Sequence, residues 1–91
     1  GGSEGPAMLP EAESFEVAVA VLTTESRASE LVKSLRLLDL PAYAQPDRSG
    51  RHVVAVGPFA SRDEAREAQG QIARVHITDS RIVSTSAGDR Y

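Results

Sequence analysis

The 91-residue chain has no cysteine and no tryptophan, only four other aromatic residues, and no excess of basic charge. Without cysteine there is no disulfide framework and no thiolate metal site, and both oxidising and reducing compartments remain open. A formal charge of −3 gives a phosphate backbone no basic stripe to hold, so nucleic acid is not an expected partner. Any aromatic platform for a ligand has to come from Phe15, Phe59, Tyr43 or Tyr91. No apolar run approaches the roughly 18–20 residues of a membrane span, and no charged segment leads into an apolar one as in a signal peptide. Membrane insertion of this stretch is therefore not expected.

Hydrophobic residues make up 41% and charged residues 25%, a balance that suits one small globular domain with a modest core. The opening GGSEGPAMLPEAES has no hydrophobic period, so residues 1–14 read as flexible linker, with GGSEGPAM as a cloning scar. Residues 85–91 read as a flexible tail. The folded domain is expected over 15–84.

Within it, FEVAVAV at 15–21 places Phe15, Val17, Val19 and Val21 on one side of a strand and Glu16, Ala18 and Ala20 on the other. A helical stripe follows at Ala28, Leu31, Val32, Leu35 and Leu38, after Thr and Ser residues able to cap its start. Leu40 and Pro41 end that helix, PAYAQ reads as a short strand, and PDRSG at 46–50 turns the chain into RHVVAV. The order then recurs at a shift of 37 positions. Ala28, Leu31, Leu35 and Leu38 land on Ala65, Ala68, Ile72 and Val75, Val17 and Val19 on Val54 and Val56, Leu22 on Phe59, and Thr24 on Ser61. Gly57 and Pro58 stop the third strand, and Ser61 to Glu64 reads S-x-x-E, a capping box. A last strand near Ser80 to Ser84 completes βαββαβ. The expected fold is α+β, ferredoxin-like: a four-stranded antiparallel-type sheet, strands one and three central, both helices on one face, and a pseudo-twofold repeat.

VAVGPFASRDEAREA, with its strand ending V-G-P-F ahead of a helix rich in alanine, resembles the second repeat of the SPOR domain family (sporulation-related repeat). VAVAVLTTESRASELVKSL followed by LDLPAYA is similar to the family's first strand and helix, so the resemblance spans 15–84. It implies a non-catalytic peptidoglycan-binding module of the bacterial envelope that recognises denuded glycan strands through the open sheet face. It also implies a periplasmic or extracytoplasmic location within a larger protein, and envelope or divisome proteins as a second class of partner. The family's first strand commonly reads V-Q-V-G-S-F, and its third strand often carries arginine. Here the matching residues are Val17 to Leu22, and Val53 and Ala55, so the usual hydrogen-bonding side chains are missing.

The candidate glycan surface therefore has an apolar floor of Ala18, Ala20, Val53 and Ala55 and a polar rim of Glu16, Tyr43, Gln45, Arg51 and Arg81. Such a floor equally suits a protein partner or a second copy, the alternative function being a degenerate interaction module. Phe59 and Leu22 read as corner core residues. His52 and His76 are lone imidazoles without companion ligands, so no metal and no cofactor is expected. Asp63 and Glu64 suit the first turn of a helix and are not an acid–base pair. No nucleophile, base and orienting group can be assembled, which argues against an enzyme. An RNA-recognition module of the same strand order needs stacking aromatics where Ala18, Ala20, Val53 and Ala55 stand. A regulatory small-molecule domain on this plan draws no support from the G-P-F block.

Overall fold

The computed structural model describes residues 14–85; the linker expected before this span and the tail expected after it otherwise lie outside the described residues. Six elements follow in chain order: β1 (Ser14–Leu22), α1 (Glu25–Arg36), β2 (Ala42–Pro46), β3 (His52–Phe59), α2 (Arg62–Ala73) and β4 (Arg81–Thr85). The strands form one sheet in the order β2-β3-β1-β4, every neighbouring pair antiparallel. This is the expected βαββαβ plan with the first and third strands central. β1 and β4 each begin or end one residue outside the expected domain, and the Ser14 and Thr85 hydroxyls meet there at 2.9 Å.

One face of the sheet is covered because its apolar residues match the stripes on both helices. Phe15, Val17, Val19, Ala42, Val54 and Val56 from the strands bury against Ala28, Val32, Leu35, Ala65, Ala68 and Ile72 from the helices. No polar or charged residue joins that core among the described residues.

The repeat reaches further into the backbone than the apolar pattern alone indicates. Each helix is twelve residues long, and both their starts, Glu25 and Arg62, and their ends, Arg36 and Ala73, lie 37 positions apart. Thr24 caps α1 by accepting from the Arg27 backbone N–H, and Ser61 caps α2 by accepting from that of Glu64, each at 3.2 Å. Glu64 answers by accepting from the Ala60 N–H at 3.2 Å, one residue before the cap that a regular box would use. Beyond each helix a left-handed residue reverses the chain, Asp39 at φ 65° and His76 at φ 67°.

Two irregularities set the faces of the central strands. β3 carries one extra residue relative to β1 between the pairs Phe15–Phe59 and Val17–Val56, at the cis Gly57–Pro58 step. β1 carries one extra residue relative to β3 between Ala18–Ala55 and Ala20–Val54. Because side chains alternate with period two, this second bulge changes the alternation. Val21, expected on the covered side, instead pairs with Val53 and is 53% exposed. Ala20, expected on the open side, pairs with core residue Val54 and packs against the core.

Candidate functional site

The sheet face away from the helices has no covering layer among the described residues. Cross-strand register organises it into rows. Tyr43, Ala55, Ala18 and Arg81 are successive partners across all four strands. The row has a long polar side chain at each end and two methyl groups between them. Three interstrand spacings make it about 14 Å wide. A second row holds Gln45, Val53 and Val21, and Glu16 pairs with Val83 in a third. Ala55 is buried even though no helix covers it, since its flanking partners shield so small a side chain.

At the β1–β4 side the face deepens into a groove of about 590 Å³, lined by Ala18, Val19, Ala20, Val21, Val53, Asp79, Arg81 and Val83. Its floor is aliphatic, and Asp79 and Arg81 supply one charge of each sign. Val21 and Val83, at 53% and 42% exposed, add apolar surface.

Tyr43 and Glu16 stand on β2 and β1 with β3 between them. Burial of the phenol, its hydrogen bond to Glu16 and the adjacent negative charge push its pKa up to about 12. The two side chains can meet because Gly57 offers no side chain there: a Cβ on it would lie 3.1 Å from Glu16 Cγ. The ordinary phenol value is 10.0, so the folded state favours the protonated form. That preference stabilises the fold fully below pH 10 and is lost as pH rises through about 12. In a Tyr91→Phe background, the remaining tyrosinate absorbance is expected to rise near pH 12. Adding Glu16→Gln should move that midpoint down towards the ordinary value; an unchanged midpoint would show that Glu16 does not hold the phenol.

The expected rim is only partly assembled. Glu16, Tyr43, Gln45 and Arg81 border the face, but Arg51 belongs to the β2–β3 turn. Asp47 accepts there from the backbone N–H groups of Ser49 and Arg51 at 2.8 and 3.0 Å and from the Ser49 hydroxyl at 2.7 Å. These bonds, that from the Ser49 hydroxyl foremost, hold the Asp47 carboxyl below its ordinary pKa. Arg51 Nε in turn donates to Ser49 Oγ at 3.1 Å, directing the guanidinium into the turn. Ala18, Val53 and Ala55 lie on the face as expected, while Ala20 pairs with core residue Val54, packs against the core and still lines the groove. Val21, Val83 and Asp79 are lining residues that sequence reasoning missed. Alternation from Arg81 would have found Val83; the bulge conceals Val21, and Asp79 precedes β4 without any pattern. No group of three or more His, Asp or Glu residues is placed to hold a metal ion among the described residues.

Compared with known proteins, the chain matches the family model described as "SPOR domain" over residues 11–83. No curated protein gives a significant match. Among solved structures, the peptidoglycan-binding domain of the B. subtilis cell wall lytic enzyme CwlC is similar at 18% identity and a TM-score of 0.69, covering 81% of this chain and 91% of that one. The RlpA SPOR domain from Pseudomonas aeruginosa is similar at 20% identity and a TM-score of 0.65, covering 76% and 96%. The Spor protein DedD is similar at 20% identity and a TM-score of 0.60, covering 90% of this chain and 46% of that one. At these identities the likeness to solved structures concerns the fold.

Proposed function

The chain belongs to the SPOR domain family, and from that premise we propose that it is a non-catalytic peptidoglycan-binding module that receives denuded glycan strands on the open face of its sheet. Binding of this kind brings a parent protein to the cell wall, including the division site, from the periplasmic or extracytoplasmic side, where envelope or divisome proteins are its neighbours. The row Tyr43–Ala55–Ala18–Arg81 carries the reading. An alanine floor lets the flat side of a sugar ring approach the sheet, and hydrogen-bonding groups at both ends can meet its hydroxyls. The similar CwlC domain is described as peptidoglycan-binding, which supports the same direction. A shallow face of this sort gives modest affinity per contact, and repetition along a polysaccharide raises overall retention.

The exposed valines Val21 and Val83 favour a second reading, a protein-contact or dimerisation surface on the same face. Pull-down with sacculi, before and after amidase removal of stem peptides, separates the two. Retention that rises after amidase treatment supports glycan recognition. Retention on neither sample, with a dimer that grows with concentration in light scattering, supports the protein-contact reading. Within the glycan reading, Arg81→Ala and Tyr43→Ala are each expected to lower retention by roughly tenfold, the effect of losing one strong hydrogen bond. Arg66→Ala, on the exposed side of α2, should leave it unchanged. Equal loss from all three would place binding elsewhere.

A further inference from the structure

On the helical side of the domain, away from the open sheet, a groove of about 410 Å³ runs between α2 and the loop that follows α1. Leu38, Leu40, Pro41, Phe59 and Ala68 give it an apolar lining, and Asp39, Glu64 and Glu67 add three exposed carboxylates. The loop is fastened at both ends: the Pro41 carbonyl accepts from the Gly57 N–H at 3.0 Å, and the Leu40 N–H donates to the Leu35 carbonyl at 3.3 Å. The groove is therefore formed before anything fills it.

The internal repeat supplies its own comparison. A shift of 37 carries Leu22, Arg27, Glu30, Leu31 and Ser34, which line a second groove beside α1, onto Phe59, Glu64, Glu67, Ala68 and Gln71. The two grooves occupy the same place in the two halves, so the fold accounts for their position but not for their difference in charge. Beside α1, Arg27 stands with Glu30, one charge of each sign. Beside α2, Glu64 replaces Arg27, and the loop adds Asp39 where the second half has His76. Only the α2 groove has a wall, Leu38 to Pro41; the matching Val75 to Thr78 do not line the other. Leu37, directly before that wall, is 86% exposed, where the second half has Arg74. No cation lines the α2 groove. Arg62 lies over the Phe15 ring at 5.1 Å, and Arg36 Nε donates to the Ala42 carbonyl at 3.0 Å, so both arginines are engaged elsewhere.

We propose that this groove docks an extended segment of a partner protein in which lysine or arginine residues flank a leucine-like side chain. The apolar lining receives the aliphatic group, and the carboxylates meet the cations on either side of it. Glu64 and Glu67 stand one helical turn apart on α2, about 5–6 Å between their Cβ atoms, while Asp39 comes from the loop. The three do not converge to hold a metal ion, so the positive charges that match them are spread along the occupant, as they are along a basic peptide. Exposed pairs of this kind are individually weak and screened by salt, so docking is salt-sensitive. The groove and the open sheet face lie on different sides of the domain, and a ligand on one leaves the other accessible.

The test titrates an end-capped Lys-Leu-Lys-Leu-Lys peptide into the isotopically labelled chain. The largest amide shifts are expected at residues 38–40 and 64–71, with affinity falling as salt is raised. The double variant Asp39→Asn/Glu67→Gln should bind about two- to thirtyfold more weakly, the loss of two exposed charge pairs. Asparagine also accepts the left-handed backbone of Asp39, φ 65°, so this variant keeps the fold. Glu25→Gln/Glu30→Gln makes the same change of charge on α1 and should leave affinity unchanged. Exchanging the peptide's leucines for serine should weaken binding as well. Equal loss from both double variants reduces the effect to net charge and overturns the proposal. Shifts confined to β1 and β3, full binding of the serine peptide, or no binding at all overturn it too. Groove shifts that follow chain concentration without peptide assign the groove to a second copy and likewise overturn it. None of these outcomes bears on retention by sacculi, which reads the other face.

Discussion

Leu35→Ala and Ile72→Ala should each lower the unfolding free energy by about 2–5 kcal/mol, and by similar amounts. The two side chains occupy matching positions on α1 and α2, both fully buried, and both helices present them to the same covered face of the sheet. Truncation leaves a cavity that neither stripe can fill, because the flanking core residues on the same helices are alanine and valine. A folded domain of 72 described residues has a total stability of roughly 4–11 kcal/mol, so either change removes a large part of it. Midpoints in urea at unchanged slope are the measurement. Val75→Ala provides the contrast: the repeat pairs Val75 with Leu38, but Val75 is 36% exposed and should cost under about 1 kcal/mol. If Ile72→Ala were as mild as Val75→Ala, the two helices would not share one core.

These positions were legible because their signals are local. Apolar spacing within one helix and a Ser or Thr just before it need no knowledge of distant contacts, and the 37-residue shift aligns both caps and both stripes. Family membership rests on the same stretches. Features that depend on how two strands align were not legible. The β1 bulge follows from pairing between Ala18–Ala20 and a strand some 35 residues away, and it moves Val21 to the open face. Tyr43 and Glu16 approach each other across an intervening strand, which no spacing rule anticipates. Arg51 reads from the sequence as a rim residue, but its Nε donates to Ser49 Oγ within the β2–β3 turn, a contact that the strand pattern does not reveal.

Gly57→Val is expected to lower stability by about 2–6 kcal/mol, combining a backbone term of about 1–3 kcal/mol with an overpacking term of similar size. Gly57 has φ 146°, a conformation that side chains with a Cβ rarely adopt. A Cβ there would lie 3.1 Å from Glu16 Cγ and 3.2 Å from both the Glu16 Cα and the Phe15 carbonyl oxygen. Two of those three atoms are main chain of the neighbouring strand, so a side-chain rotation cannot relieve the contact. The site should suffer with the fold: displacing Glu16 frees the Tyr43 phenol, whose titration should move down from about 12, and retention on amidase-treated sacculi should fall. If the valine variant does not fold, Gly57→Ala should show the same direction at smaller size. Gly70→Ala is the control, since nothing lies within 4 Å of its would-be Cβ and it sits inside α2. There the added methyl should stabilise by about 0.5–1 kcal/mol. Opposite signs for one substitution at two glycines would show that the close approach of β3 to β1, rather than glycine content, supports the Tyr43–Glu16 end of the open face. Equal signs would remove Gly57 from that role.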